Sequence, residues 1–320
     1  MLAVDEIGNK RQTWVDGLGR TVEADEPNSS GTLSVSTCYA YDLNNNLTSV
    51  ANASQTRSYS YDMLSRLISA TTPESGATSY SYDADASCPS PNSFPGNLVK
   101  KLDARGIRTC MQYDQVNRLT SKNYSDSTPT ATYYYDQASY NGLTITNGKG
   151  KQTGMSDGSG QTAWSYNAVG SVLTERRTIA GVTNTMSYGY NLDGSPASLM
   201  YPSGRTVTYT ISNAQRLISA ADQANGINYA TSATYAPPGA PASIVHGYVS
   251  GGFAGITESY SYNNRLQFSS IQATSSAALA LNLAFGYAQP TANNGDITTQ
   301  LTTRTRAGHR LTPTTTCSAS

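Results

Sequence analysis

The sequence predicts an all-β chain of tandem β-hairpins, and three observations carry the prediction. Tyr is abundant, at 23 residues against 4 Phe, while only 13% of residues are charged and Ser, Thr, Asn, Gly and Ala supply most of the rest. A mixture poor in strong helix formers favours strands joined by polar turns. Aromatic residues alternate with small ones, as in Tyr59-Ser60-Tyr61, and period 2 places both rings on one face of a strand. The alternation gives way to an Asp-led polar segment, Asp62-Met63-Leu64-Ser65, and resumes as Arg66-Leu67-Ile68-Ser69-Ala70. That is a hairpin written in a dozen residues. Regular tyrosines also separate the chain from a disordered one, since disordered segments are aromatic-poor.

Taken in order, residues 1–37 open with turn chemistry at Gly8-Asn9 and at Asp16-Gly17-Leu18-Gly19-Arg20, each followed by short alternation suited to a strand. Glu26 to Gly31 reads as a loop. The hairpin then recurs. Aligning the second aromatic of each copy with its polar partner gives Tyr41-Asp42, Tyr61-Asp62, Tyr82-Asp83, Tyr113-Asp114, Tyr135-Asp136, Tyr166-Asn167, Tyr190-Asn191, Ile211-Ser212 and Tyr262-Asn263. The first seven gaps are 20, 21, 31, 22, 31, 24 and 21 residues. A second aromatic usually stands two residues earlier, as at Tyr39, Tyr59, Tyr80, Tyr133, Trp164, Tyr188, Tyr209 and Tyr260. Repetition at this period marks a repeat architecture.

Asp or Asn at the head of each turn can accept backbone amides ahead of it and nucleate a type I turn. Three residues on stands Asn45, Ser65, Asn117, Gly170, Gly194 or Gln215. Gly and Asn tolerate the left-handed conformation that closes such a hairpin with a bulge, so Ser65 and Gln215 are expected to show strain or a different turn. An Arg-Leu step and return strand follow at Arg66-Leu67, Arg118-Leu119 and Arg216-Leu217. At Tyr262 a shorter turn is expected, running straight into Asn263-Asn264-Arg265-Leu266. A weaker Gly-x-x-Thr element, as at Gly106 to Thr109, reads as the step from one hairpin to the next.

The expected organisation is therefore a single array over 1–300 of about nine to eleven hairpins, with no internal boundary. Loop insertions are expected near 86–97, 141–160 and 236–242, the last around Pro237-Pro238-Gly239-Ala240-Pro241. Prolines this dense do not fit a central strand. Residues 301–320, Thr-rich and without alternation, read as a disordered tail.

The motif Tyr-x-Tyr-Asp-x-x-(Gly/Asn)-Arg-Leu-x-Ser, repeated at a little over twenty residues, resembles the YD repeat of Rhs-family proteins, a repeat also found in teneurins and in insecticidal toxin complexes. The likeness covers roughly residues 5 to 298. Its repeat-defining positions in this chain are Tyr41, Asp42, Tyr59, Tyr61, Asp62, Arg66, Leu67, Tyr113, Asp114, Arg118, Leu119, Tyr166, Tyr190, Arg216, Leu217 and Tyr262. The resemblance implies tandem hairpins forming part of a spiralling, hollow β-shell. It further implies a secreted or cell-surface protein whose full-length shell encloses or presents a toxin domain, or meets a surface glycan or protein. The Asp-Pro-x-Gly-Leu signature of the family's shell-closing segment has no match here.

Outside the repeat the sequence offers little chemistry, and a non-enzymatic scaffold without cofactor is the expectation, with a hydrolase kept as a remote alternative. The 21 basic and 21 acidic residues cancel, so no overall field recruits nucleic acid or an anionic membrane. The longest apolar run, Ala277 to Leu281, is too short to span a bilayer, and the first residues lack the form of a signal peptide. Cys38, Cys88, Cys110 and Cys317 show no C-x-x-C pair, and a Cys88–Cys110 bridge is allowed but not dictated. His246 reads as an ordinary strand residue and His309 falls in the tail, with no nucleophile signature nearby. Asp42, Asp62, Asp83, Asp114 and Asp136 read as turn residues rather than calcium ligands, Asp83-Ala84-Asp85 being the nearest approach to a metal run. Gly148-Lys149-Gly150-Lys151 lacks phosphate-loop spacing and reads as a flexible loop. The tyrosine rows are first a packing layer, with stacking on a sugar as the sharper alternative.

Overall fold

A computed structural model describes residues 1–5, 8–52, 55–237, 239–249, 251–275, 278–288, 293, 295–306, 309–310 and 314–317. Pro238 and Ala277, named above, lie outside the described residues, as does most of 307–320. The expected all-β chain is what forms: among the described residues the one helical element is a single 3-10 turn, Gln223–Asn225. Among the described residues no helix is long and apolar enough to cross a membrane.

The chain divides into two compact units rather than one array, the first comprising 1–163 and 177–182, the second 164–176 and 183–320. In the first, strands from Leu2–Val4 to Gly160–Tyr166 pair antiparallel in succession, each with the next. A two-residue hairpin, Ser139–Tyr140 with Leu143–Thr144, stands apart from that succession. In the second unit the same meander runs from Val182–Tyr190 to Ile297–Arg306.

The 301–320 segment departs from the expected tail. Leu301 to Arg306 complete the strand Ile297–Arg306, and His309–Arg310 and Thr314–Cys317 both pair with it. Thr is a good strand former without apolar alternation, so a polar run can extend an edge without announcing itself.

Burial is sparse, because each unit is a single layer with most side chains half-exposed. In the first unit it concentrates where insertions cover the sheet. Cys88 and Cys110 form a disulfide across 22 residues, beside Val99 and Met111. The second cluster gathers Ile145, Thr153 and the stacked rings of Tyr134 and Tyr140, 4.5 Å apart. Tyr140 lies on Gly154, where a Cβ would come within 2.4 Å of the ring, so a side chain there would expel it. In the second unit Val207, Ala221 and Tyr166 are buried, and the fully buried Asp222 caps the 3-10 turn through the Asn225 amide and carboxamide.

The insertions differ from expectation. Residues 152–157 and 160–166 are already strands joined by a tight turn at Asp157, so the second insertion ends before Gln152. Its core is the small hairpin turning at Asn141-Gly142, both with positive φ, and not an open loop. The 236–242 segment is no insertion: Ala236 N–H donates to Ala240 O at 2.8 Å and Gly239 N–H to Ala236 O at 2.9 Å. That is the ordinary repeat turn with its acid replaced by Ala236.

Candidate functional site

The repeat's shared residues are built from the turn outward. In the turn after Tyr61, Ser65 N–H donates to Asp62 O and Asp62 N–H to Arg66 O, both at 3.0 Å. The Asp62 Oδ1 accepts the amides of Leu64 and Arg66 at 2.9 Å each. Asp42 and Asp114 repeat the arrangement, and Asn167 and Asn263 do so with a carboxamide oxygen. Satisfying two amides with one side chain is why Asp or Asn heads the turn. The fourth residue is left-handed throughout, at Asn45, Ser65, Asn117, Gln215 and Leu266 with φ of 57–67°. Ser65 and Gln215 therefore adopt the same left-handed turn as Asn and Gly, so of the two expectations it is strain, not a different turn, that the structure shows. The turn after Tyr262 is also full-length: Leu266 takes the left-handed place and Gln267, not Arg265, the fifth. A register shift follows, pairing Tyr41 with Leu47, Tyr61 with Leu67, Tyr113 with Leu119 and Tyr262 with Phe268.

Tyrosines before the turns bind backward along the succession of hairpins. Each hydroxyl donates to a carbonyl on the preceding hairpin's return strand: Tyr41 to Thr21 at 3.0 Å, Tyr82 to Leu67 at 3.0 Å, Tyr113 to Leu98 at 2.8 Å and Tyr135 to Leu119 at 2.9 Å. In the second unit Tyr190 reaches Val172 at 3.0 Å, Tyr235 reaches Leu217 at 2.7 Å, Tyr262 reaches Pro241 at 2.7 Å and Tyr287 reaches Phe268 at 2.9 Å. The acceptor is the first residue of the return strand in every case but Leu98, which lies within the strand Ser93–Leu102. Burial pushes the Tyr61, Tyr82, Tyr113, Tyr135 and Tyr166 hydroxyls above their usual pKa. Tyr59 is half-buried on the same face as Tyr61, opposite Ala70.

Arginine at the fifth turn position closes the unit. Arg66 Nε holds Asp62 Oδ2 at 2.7 Å, its guanidinium lies 4.5 Å over the ring of Tyr82, and its other nitrogens reach Asp83 at 2.8 and 3.1 Å. Arg118 treats Asp114, Tyr135 and Asp136 alike, and Arg20 treats Asp16, Tyr41 and Asn45 alike. Arg216, headed by Ser212, lies 5.2 Å over Tyr235. The Arg66 amide and guanidinium hold the Asp62 carboxyl below its ordinary range, and the Arg118 amide and guanidinium do so for Asp114.

Asp83 and Asp136 do not head turns, which corrects the reading of all five acids as turn nucleators. Each has positive φ, near 66° and 61°, and the chain runs on into an insertion. Each carboxylate accepts the arginine of the preceding turn on one side and a glycine amide returning from the insertion on the other, Gly96 at 2.7 Å and Gly150 at 2.6 Å. Arg66, with that Gly96 amide, draws the Asp83 pKa down to about 2. The Gly148 to Lys151 segment is thus tied down at Asp136. Burial would raise the Asp85 carboxyl, but Lys100 and Ser87 outweigh it and hold it well below the usual range. Neither Asp83 nor Asp85 is left for a cation, and among the described residues no three His, Cys, Asp or Glu side chains gather as a metal site.

His246 sits in the strand Pro241–Val249, its Nε2 3.0 Å from Glu258 Oε2 across the sheet and exposed. Three turns escape the repeat motif in the sequence. Asp16 to Arg20 and Asp103 to Ile107 read only as turn chemistry, because Val15 and Leu102 stand where the tyrosine belongs, and Ala236 to Ala240 follows Tyr235 but lacks the acid. Of these, Asp16 with Gly19 and Asp103 with Gly106 share one spacing. The Asp-x-x-Gly spacing alone would have found the first two.

Comparison with known proteins agrees with this geometry. The RHS Repeat family model matches residues 41–77. No curated protein matches the sequence. Among solved structures, a Photorhabdus luminescens Tc holotoxin pore carrying a mutated TccC3 aligns with 94% of the chain at a TM-score of 0.70 and 12% identity. TcdB2-TccC3 without its hypervariable C-terminal region aligns with 93% at 0.62 and 11%. The chain spans 15% of the length of the first and 18% of the second.

Proposed function

Because this chain is a YD/Rhs-repeat protein, we propose that it serves as a length of wall in an Rhs-like β-shell, a non-enzymatic scaffold that encloses or presents a toxin or effector in a secreted or cell-surface protein. One observation carries the reading: the residues that define the repeat are spent on the neighbouring hairpin. Tyrosine hydroxyls bond the preceding carbonyl, and arginines in the first unit bridge their own turn to the next. Such a device propagates a sheet, and stacking of this kind is how a marginal hairpin gains stability. A tyrosine-lined face also supports a second reading, adhesion through carbohydrate, since half-exposed rings are available to stack on sugars.

The test is to isolate the native polypeptide with an antibody against this chain, image it, and map its protease-protected segments. A closed lumen holding a protected effector bears the reading out. A sheet open to protease on both faces, in a polypeptide without an effector, overturns it. Binding on a glycan array by such an open particle would favour the adhesion reading.

A further inference from the structure

In the repeated turn the first and fifth positions form a pair: Asp16 with Arg20, Asp62 with Arg66, Asp114 with Arg118. The turn Tyr201-Pro202-Ser203-Gly204-Arg205 closes with the same two backbone bonds, Tyr201 N–H to Arg205 O at 2.8 Å and Gly204 N–H to Tyr201 O at 2.9 Å. It keeps the arginine and puts an aromatic ring where the acid belongs. Among the described residues no carboxylate pairs with Arg205. Its guanidinium stands 5.1 Å from the ring centre of Tyr201 and 6.0 Å from that of Tyr229, and Nη1 reaches the Tyr229 hydroxyl at 3.4 Å. Tyr201, Arg205, Tyr209, Tyr229, Val207 and Ala220 line a cavity of about 250 Å³, with the buried Val207 among its walls.

We propose that this cavity binds a small carboxylate carried on a planar ring, the carboxylate taking on Arg205 the place that Asp16, Asp62 and Asp114 hold in the other turns. The guanidinium fork matches a carboxylate in two parallel bonds, and one cation matches one negative charge. Three tyrosine rings and an apolar wall favour a flat body over a hydrated one. The volume equals that of roughly eight waters at about 30 Å³ each, which suits a body the size of benzoate. Arg216 marks the contrast. It too lacks an acid at the turn head, which is Ser212, yet it rests on the single ring of Tyr235.

Protein-observed NMR titration of the full chain with benzoate tests the proposal, with benzamide as the neutral isostere and cyclohexanecarboxylate as the non-planar acid. A ligand this small on an open site is expected to bind with Kd on the order of 1 mM, at least about tenfold tighter than benzamide. Tyr201→Asp restores the repeat's own ion pair, so it is expected to weaken benzoate binding at least about tenfold while the β-sheet circular dichroism stays unchanged. Arg205→Gln is expected to lose binding to the same degree. Equal binding of benzamide, undiminished binding to Tyr201→Asp, or no shift up to about 20 mM benzoate overturns the carboxylate site. Cyclohexanecarboxylate binding as tightly as benzoate overturns the planar ring.

Discussion

The left-handed residue of the turn is the place where a single side chain reports whether the hairpin is built as described. Gly194 has φ of 83° and open space where a Cβ would stand, so alanine there meets no clash and pays for backbone conformation alone. An L-residue in this region costs about 1–2 kcal/mol, offset by about 0.4–1 kcal/mol from the restricted unfolded chain. Gly194→Ala should therefore destabilise its hairpin by about 1 kcal/mol. Leu266 makes the reciprocal case. It holds φ of 62° while 59% exposed, so little burial is lost on replacing it. Leu266→Asn should gain about 1 kcal/mol, because Asn tolerates the left-handed region without the entropy cost of glycine. Repeat arrays seldom unfold in one step, so the readout is amide hydrogen exchange in the flanking strands. About 1 kcal/mol corresponds to roughly fivefold, faster for Gly194→Ala and slower for Leu266→Asn. Unchanged exchange in both, or Leu266→Asn exchanging faster, would refute the left-handed turn.

Tyr135→Phe removes the donor to the Leu119 carbonyl and should cost about 1 kcal/mol, seen as faster exchange in the strands Leu119–Tyr124 and Ala131–Tyr135; no change would mean water replaces the bond freely. Replacing Cys88 and Cys110 together by Ser opens a 22-residue loop, and chain entropy puts the loss at about 3 kcal/mol, with exchange in Arg108–Tyr113 as the check. The pH dependence follows from carboxyls whose folded pKa is lowered, such as Asp83 at about 2 against 3.8 unfolded. Their contribution is full above the unfolded value and lost as pH falls from about 4 to 2, so urea midpoints should be level from pH 7 to 5 and drop below about 4. Asp83→Asn should flatten that drop, and a midpoint that rises on acidification would contradict the ion pairs.

How much of this was legible follows from what a short motif can encode. Tyr59 to Ala70 states its hairpin in full, because alternation, the Asp62 acceptor and the return at Leu67 all lie within one dozen residues. The turn at Leu266 was misread because a large apolar residue disguised the left-handed position, and 236–240 because Ala236 carries no acceptor. Asp83 and Asp62 follow a tyrosine in the same dipeptide and do opposite work. What distinguishes them is that the left-handed backbone falls on Asp83 itself, a choice set by the returning Gly96 and by Arg66, 13 and 17 residues away. The pairing of Arg205 with rings was hidden likewise, since the head of that turn had not been identified as a turn head.

The forward bonds between turns show how the two units differ in what holds their hairpins together. Neighbouring hairpins along the succession repeat at roughly 9.5 Å, two strand spacings, so a side chain must be long to cross from one turn to the next. In the first unit the fifth turn residue does cross: Arg20 to Asn45 at 2.7 Å, Asn46 to Ser65 at 3.1 Å, Arg66 to Asp83 and Arg118 to Asp136. In the second unit Ser171 and Ser195 at that position end one atom beyond Cβ and do not span the step, whereas Arg205 reaches the Tyr229 hydroxyl, Arg216 lies over Tyr235 and Gln267 reaches Asn293 at 2.9 Å. The tyrosine hydroxyl links hairpins there as well, at Tyr190, Tyr235, Tyr262 and Tyr287. Neither link is obligatory: the turns after Val15, Leu102 and Ile211 lack the tyrosine and those ending at Ser171 and Ser195 lack the arginine, and an arginine that stays without its acid is released from its own turn. Release at Tyr201 to Arg205, where the acid is gone and the cation stays, is what leaves a charged group free to meet something other than its own chain.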